Sequence, residues 1–200
     1  MKKISVIVTA LLLSTSLLFA QDPKFGIKGG LNISKLTNQG SDPDWRLGFN
    51  AGLLAHIHVT PAFSLQPEVV YSSQGAKYAL SNSKDLNLNL SYLNIPVLLQ
   101  YNFDNGFRLQ GGPQIGFLIG VNDKVDGVEL NSVDSDDFKT IDISLPLGFS
   151  YLGYSGFGFD ARYNLGLTNV IEGSTTNVRN SVIQFGVFYL FDHKHKARSK

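Results

Sequence analysis

The chain has no cysteine among its 200 residues. This excludes both a disulfide framework and the lipidated cysteine that anchors a lipoprotein, so a large fold has to supply the stability. A helical period is missing as well, because after residue 21 no window keeps apolar residues at a 3.6-residue spacing. Apolar and polar residues alternate instead, which favours one all-β domain.

The first 20 residues have the layout of a secretory signal peptide. Lys2 and Lys3 precede an apolar run from Ile4 to Phe19, and Ala20 is a small residue at the expected cut. A membrane anchor is the alternative, but the run is somewhat short for one. We therefore predict export to the cell envelope, with a signal peptide at 1–20, a barrel domain at 21–191 and a basic periplasmic tail at 192–200.

Eight segments alternate strongly enough to be read as strands, and each is long enough to cross a bilayer when tilted. The predicted strands are 24–33, 45–59, 62–73, 87–103, 107–119, 138–151, 157–168 and 180–191.

Short and long connections alternate along the chain. The connections after the second, fourth and sixth strands are tight, with turn residues such as Pro61, Gly106 and Gly156. The remaining connections are long and polar, so in a meander they all lie at one end of the sheet. This is the layout of an eight-stranded antiparallel up-and-down transmembrane β-barrel. The predicted extracellular loops are 34–44, 74–86, 120–137 and 169–179.

Aromatic residues lie near the short-turn ends of the strands, on the apolar face. Aromatic rings favour the membrane interface, so this ring predicts a periplasmic girdle and an apolar face that points outward into lipid. A soluble, lipocalin-like barrel with the apolar face inside is the alternative. The predicted girdle consists of Phe25, Phe63, Tyr101, Phe107, Phe149, Tyr151, Phe157, Tyr189 and Phe191.

The fourth strand departs from the pattern. Leu86, Leu88 and Leu90 share one parity, whereas Leu93 and the apolar residues after it share the other. Either a bulge near Ser91 and Tyr92 brings the two sets to one face, or the first half of the strand projects beyond the bilayer.

Charged residues on the polar face nearly balance, and an eight-stranded barrel is just wide enough to be filled by its own side chains. We expect them to form an ion-pair network that plugs the lumen; a narrow conduit or gate is the alternative. The predicted lumen network is Lys28, Arg46, Glu68, Arg108, Asp142, Asp160 and Arg162.

Two further features have residue types that occur in functional sites. His56 and His58 share the inward parity opposite Gln66 and Ser64, but they lie far from the outer rim, so we predict no catalytic residue. The acidic run at 122–137 lacks the fixed spacing of a calcium loop, so we expect a solvated loop rather than a cation site. No cofactor motif appears, and the few basic residues exclude a nucleic-acid surface.

Four stretches give a family resemblance: "KFGIKGGLNISKL", "SYLNIPVLLQYNF", "RLQGGPQIGFLI" and "QFGVFYLF". They resemble, in the same order, the PorT-like outer-membrane β-barrel family, over about 24–191. The resemblance implies an eight-stranded barrel in the outer membrane of a Gram-negative bacterium, and the founding type is tied to a secretion system.

These observations predict a monomeric, non-enzymatic barrel in contact with outer-membrane lipid. The expected role is structural, surface-interacting or linked to secretion through envelope proteins. A porin-like small-solute transporter is the main alternative, and a lipid-modifying enzyme is a third.

Overall fold

A computed structural model describes residues 22–37, 43–80, 84–125, 128–130, 133, 135–172 and 177–191. The predicted signal peptide and the basic tail lie outside these residues and stay predictions.

Ten strands and one short 3-10 helix make up the described chain. No helix among the described residues is both long and apolar enough to cross a membrane. In chain order, the elements are β1 Lys24–Thr37, β2 Arg46–His58, β3 Phe63–Leu80, β4 Lys84–Asn102, β5 Phe107–Gly111, β6 Gln114–Val125, β7 Val128–Glu129, the 3-10 helix Ser135–Asp137, β8 Ile141–Leu152, β9 Phe157–Gly166 and β10 Arg179–Leu190.

The sheet closes into a barrel of eight strands, as predicted. β5 and β6 are two parts of one wall strand, since both pair with β4 on one side and with β8 on the other. The break falls at Gly112 and Pro113, where proline has no N–H to give to the ladder. All pairings are antiparallel, and β1 pairs with both β2 and β10, which closes the ring. The small β7 extends β6 outside it.

The stagger of the strands fixes the shape of the barrel. Following the register from Lys24 through each neighbouring strand returns to Ser34, ten positions further along β1. With usual strand spacings, this stagger corresponds to a tilt of about 40° from the barrel axis. That tilt lies in the range of membrane barrels, and it decides which inward side chains share a level of the lumen.

The two faces of the wall differ sharply, as β9 illustrates. Phe157 and Phe159 are 49% and 53% exposed, whereas Asp160 and Arg162 are 4% exposed. The apolar set therefore points outward, as predicted. Such a continuous apolar surface is far larger than the patches a monomeric soluble protein exposes, so it requires lipid around it.

Above this band the polarity of the wall reverses. The outward side chains of Lys77 and Asp85 form an ion pair of 2.8 Å, while Ala76, Leu88 and Leu90 are buried inside. The hydrogen bond from Lys77 to Asp85 raises the pKa of the lysine. A polar exterior over an apolar interior is the arrangement that water favours. The reversal therefore places the β3–β4 hairpin, beyond about residues 72 and 92, outside the bilayer.

This reversal explains the irregular fourth strand. It rules out the alternative in which a bulge in β4 brings both sets of leucines to one face. The register shifts at Ser91 and Tyr92, but the extra residue is Ile119 on β6, so β4 runs on without changing parity. Leu88 and Leu90 stay inside because their strand has left the lipid. The predicted extracellular loop at 74–86 is also wrong in its described part, since most of it is strand.

Candidate functional site

Four charged side chains meet in the middle of the lumen, and we call them the charge cluster: Lys28, Glu68, Asp160 and Arg162. Arg162 donates two hydrogen bonds to the Glu68 carboxylate, Nη1 to Oε2 at 2.8 Å and Nη2 to Oε1 at 2.7 Å. Lys28 Nζ lies 3.3 Å from Glu68 Oε2 and 3.4 Å from Asp160 Oδ1. Arg162 Nε completes the ring, 3.2 Å from Asp160 Oδ1. These side chains are 0–2% exposed, and their charges cancel.

The other three predicted network charges lie outside the charge cluster. Arg46 is half-buried near the outer end, where Nη1 donates to Ser73 Oγ and to the Gln74 carbonyl, both at 3.2 Å. Asp142 accepts a hydrogen bond of 2.6 Å from Thr168 Oγ1. The expectation of one seven-residue network is therefore wrong, because the stagger of the strands puts these residues at different levels.

Arg108 lies towards the periplasmic end. Its guanidinium sits 5.9 Å from the Phe188 ring, and Nη1 donates to Gln100 Oε1 at 3.4 Å. A cation over an aromatic face is a favourable contact in a dehydrated interior.

Amide side chains lie on both sides of the charge cluster, and none of them was among the predicted site residues. Below it, Gln66 Nε2 donates to Glu68 Oε1 at 2.7 Å, and Gln100 Nε2 donates to Gln66 and Gln110 at 3.1 and 2.8 Å. Above it, Asn32 Nδ2 donates to Ser72 Oγ at 2.9 Å, and Asn32 Oδ1 accepts from Asn50 Nδ2 at 2.9 Å. In the sequence, the excess of Gln, Asn and Ser at inward positions is the signal that could have predicted these amide contacts.

Two apolar clusters lie beyond the amides, one at each end. The periplasmic cluster consists of Leu54, Leu152, Phe188 and Leu190. The amides and the charge cluster lie between the two apolar clusters inside the described part of the barrel. The extracellular cluster consists of Leu36, Ala76, Leu88, Leu90, Tyr92, Phe138, Val170 and Val178.

The two histidines lie at the periplasmic end. Their Nε2 atoms are 3.4 Å apart, and His58 pairs with Ser64 across the ladder as expected. The two rings share one face of β2, with centroids 4.5 Å apart. His56 is buried, whereas His58 is exposed at the open end of the barrel. The Ser64 hydroxyl donates to Gln100 Oε1 at 3.2 Å rather than to a histidine, an arrangement that does not activate a nucleophile.

The residues of the predicted girdle point outward at the short-turn end of the wall. Neighbouring rings are in contact, with centroid distances of 5.3 Å for Phe63 and Tyr101 and 5.7 Å for Phe107 and Phe149. Phe25, Phe157 and Phe191 are 60%, 49% and 45% exposed. Tyr151 stacks on Phe159 at 5.9 Å, and Tyr189 contacts Phe191 at 5.7 Å. Rings in this position suit a membrane interface.

The acidic run is described only in part. Asp123 is buried and its carbonyl accepts from the Leu130 amide at 3.1 Å, but Asp126 and Asp134 lie outside the described residues. Within the described part of the chain, no three His, Asp or Glu residues could hold a metal ion.

Closed antiparallel topology, an apolar band around the outside and a polar interior define this protein as an integral outer-membrane β-barrel. The chain belongs to the family described as outer membrane protein beta-barrel domain, which matches residues 19–172. The soluble alternative is therefore wrong.

Solved structures agree with this fold. Neisserial surface protein A superimposes with a TM-score of 0.57 at 19% identity, over 86% of this chain and all of that one. The attachment invasion locus protein Ail of Yersinia pestis gives 0.51 at 15% identity, over 85% and 99%. At these identities the likeness shows the fold alone. No curated protein matches the chain.

Proposed function

We propose that this barrel is a non-enzymatic envelope protein whose wall is a closed scaffold and whose working surface is the extracellular part. The observation that carries the proposal is the filled lumen: an apolar cluster at each end, with amides and four mutually paired charges between them. A solute would have to displace both apolar clusters and separate buried ion pairs, and each step is costly. The β3–β4 hairpin, by contrast, presents a long, ordered polar surface to the medium.

A planar-bilayer measurement tests the closed lumen against the porin-like alternative. We expect the purified, heat-modifiable barrel to give no stable conductance steps. A general porin reconstituted in the same bilayer shows that an open barrel is detected in the assay. Stable steps from the unmodified protein would overturn the closed scaffold in favour of transport.

We also propose the narrower assignment to the PorT-like barrels, on the four stretches that resemble them, and with it a secretion-linked role as a monomer. A photo-crosslinker at the half-exposed position of Asp85 would capture an envelope partner on the extracellular side, while one at lipid-facing Leu99 is the control. Light scattering in detergent gives the mass of the complex. Loss of a lipid-modifying activity on changing His56 or His58, with folding intact, would instead support an enzyme.

A further inference from the structure

The wall of the barrel forks on the extracellular side, between β6 and β8. The two strands pair only as far as Phe117 and Ile141. One more hydrogen bond follows, from the Leu118 amide to the Thr140 carbonyl at 2.8 Å. Beyond this bond, β6 stays with β4 as far as Val125 and leaves the line of β8.

The other branch of the fork is the chain before β8, which pairs with the chain after β9. Phe138 forms an antiparallel bridge with Ile171, and the Glu172 amide donates to the Asp137 carbonyl at 3.0 Å. Each branch is therefore held by its own neighbours, and the two branches enclose a cavity where they part.

This cavity has a volume of about 480 Å³. Small-molecule sites in proteins occupy roughly 300–1,000 Å³, so the cavity is large enough for an organic ligand. Phe138 belongs to the extracellular cluster and Leu118 packs against it, so the apolar lining of the cavity is continuous with a packed interior. Ile119, the extra residue of β6, also lines the cavity and is 58% exposed. A molecule from outside can therefore enter without opening the barrel.

The polar side chains of the cavity favour a cation. Ser135 and Thr140 line it with hydroxyl groups, and Glu172 lines it with a carboxylate. The formal charge of the adjoining sequence has the same sign, because "VNDKVDGVELNSVDSDDFKT" at 121–140 contains six acidic residues and two lysines. A carboxylate and hydroxyl oxygens accept hydrogen bonds from a cationic nitrogen, whereas an anionic ligand would be repelled.

We propose that this cavity binds a small organic ammonium compound, in which a cationic nitrogen is joined to a short apolar group. The apolar group packs on Leu118, Ile119 and Phe138, and the nitrogen donates its hydrogen bonds to the Glu172 carboxylate. The site lies outside the charge cluster and the amides of the lumen, so it goes beyond the closed scaffold and stands whether or not the lumen conducts.

Three probes of similar shape separate charge from apolar contact: phenethylammonium, the neutral phenethyl alcohol and the anion hydrocinnamate. Each is titrated into the full barrel in nanodiscs and followed by saturation-transfer NMR, with empty nanodiscs as the blank. We expect saturable binding of phenethylammonium alone. Absence of that binding would overturn the proposal, and so would equal affinity for the alcohol or for hydrocinnamate.

Gly120 allows the cavity to be filled without strain. It lines the cavity, and a Cβ at this position would meet nothing closer than the Ser91 Cβ at 3.8 Å. Gly120→Leu should therefore remove the saturable binding. Gly29→Leu is the matched control, since a Cβ at that glycine of β1 also has room, and it should leave the binding unchanged. Full binding by a folded Gly120→Leu variant would place the ligand elsewhere and overturn the site.

Glu172→Gln removes the carboxylate and should weaken the binding of phenethylammonium about fivefold. Asp104→Asn, in the exposed turn between β4 and β5, removes an equal charge at the opposite end of the barrel and is the matched control. An equal loss in the two variants would mean general attraction and overturn the site. The comparison of the three probes needs no variant, so poor folding of a variant cannot protect the proposal.

Discussion

Arg162 and Glu68 lie 94 residues apart in the chain and form a two-pronged ion pair inside the barrel, with N–O distances of 2.7 and 2.8 Å. The Glu68 carboxylate also forms an ion pair with Lys28, and Asp160 bridges Lys28 and Arg162. Each charge of the cluster therefore has two partners. The stability of the lumen therefore depends on balance within the charge cluster rather than on any one residue.

Glu68→Gln should destabilise the barrel strongly. The change leaves Lys28 and Arg162 buried with Asp160 as their only carboxylate, and removing one partner of a buried pair costs about 3–5 kcal/mol. Urea unfolding in detergent, followed by heat-modifiable migration, measures the loss. The double variant Glu68→Gln/Arg162→Met keeps Lys28 with Asp160 and should lose less. A double variant at least as unstable as the single one would contradict this account.

The neighbouring glycines Gly29 and Gly30 of β1 should differ in how well they tolerate replacement by alanine. A Cβ at Gly30 would lie 2.0 Å from the Phe185 carbonyl oxygen, a backbone atom, so the strand has to move. A Cβ at Gly29 meets nothing closer than the Asn50 carbonyl oxygen at 3.7 Å. We expect Gly30→Ala to lower the free energy of unfolding by about 1–3 kcal/mol or more, and Gly29→Ala to be tolerated. Equal unfolding midpoints for the two variants would contradict the close approach.

Leu90→Ala should loosen the extracellular extension without opening the barrel. Leu90 is fully buried in the extracellular cluster, and such a truncation costs about 2–5 kcal/mol in packing. Protease added to intact cells should then cut the β3–β4 hairpin, while heat-modifiable migration persists. Leu99→Ala, which changes a lipid-facing side chain of the same strand, should not increase cleavage. If Leu90→Ala were as resistant to protease as the unmodified protein, the extracellular cluster would not be what holds the β3–β4 hairpin together.

Asp85→Asn should lower the pKa of Lys77 towards its ordinary value. The carboxylate raises that pKa through a hydrogen bond and its charge, and the amide removes the charge. More of the lysine is then neutral at alkaline pH, so acylation of Lys77 should be faster, as followed by mass spectrometry of the modified peptide. A rate equal to that of the unmodified protein would contradict the ion pair.

Strand count and wall orientation were predictable because both depend on local pattern. Alternation over ten or so residues indicates a strand. The aromatic residues at the short-turn ends indicate that the apolar face is surrounded by lipid rather than turned towards a soluble core. For Leu88 and Leu90 the sequence left two alternatives open, a bulge or a strand that projects beyond the bilayer. The structure shows the second, where the favoured face reverses. Alternation also gave the face of His58 but not its exposure, since the wall ends there and no longer covers the side chain.

Alternation along each strand is enough to place the apolar side chains outward and Lys28, Glu68, Asp160 and Arg162 inward, because a period of two leaves each residue only one face. That these four side chains meet while Arg46, Arg108 and Asp142 lie elsewhere depends on how the barrel closes. Partners 40, 94 and 132 residues apart share a level through the ten-residue stagger of the closed barrel. That stagger arises from the joint register of eight strands, which no single strand encodes.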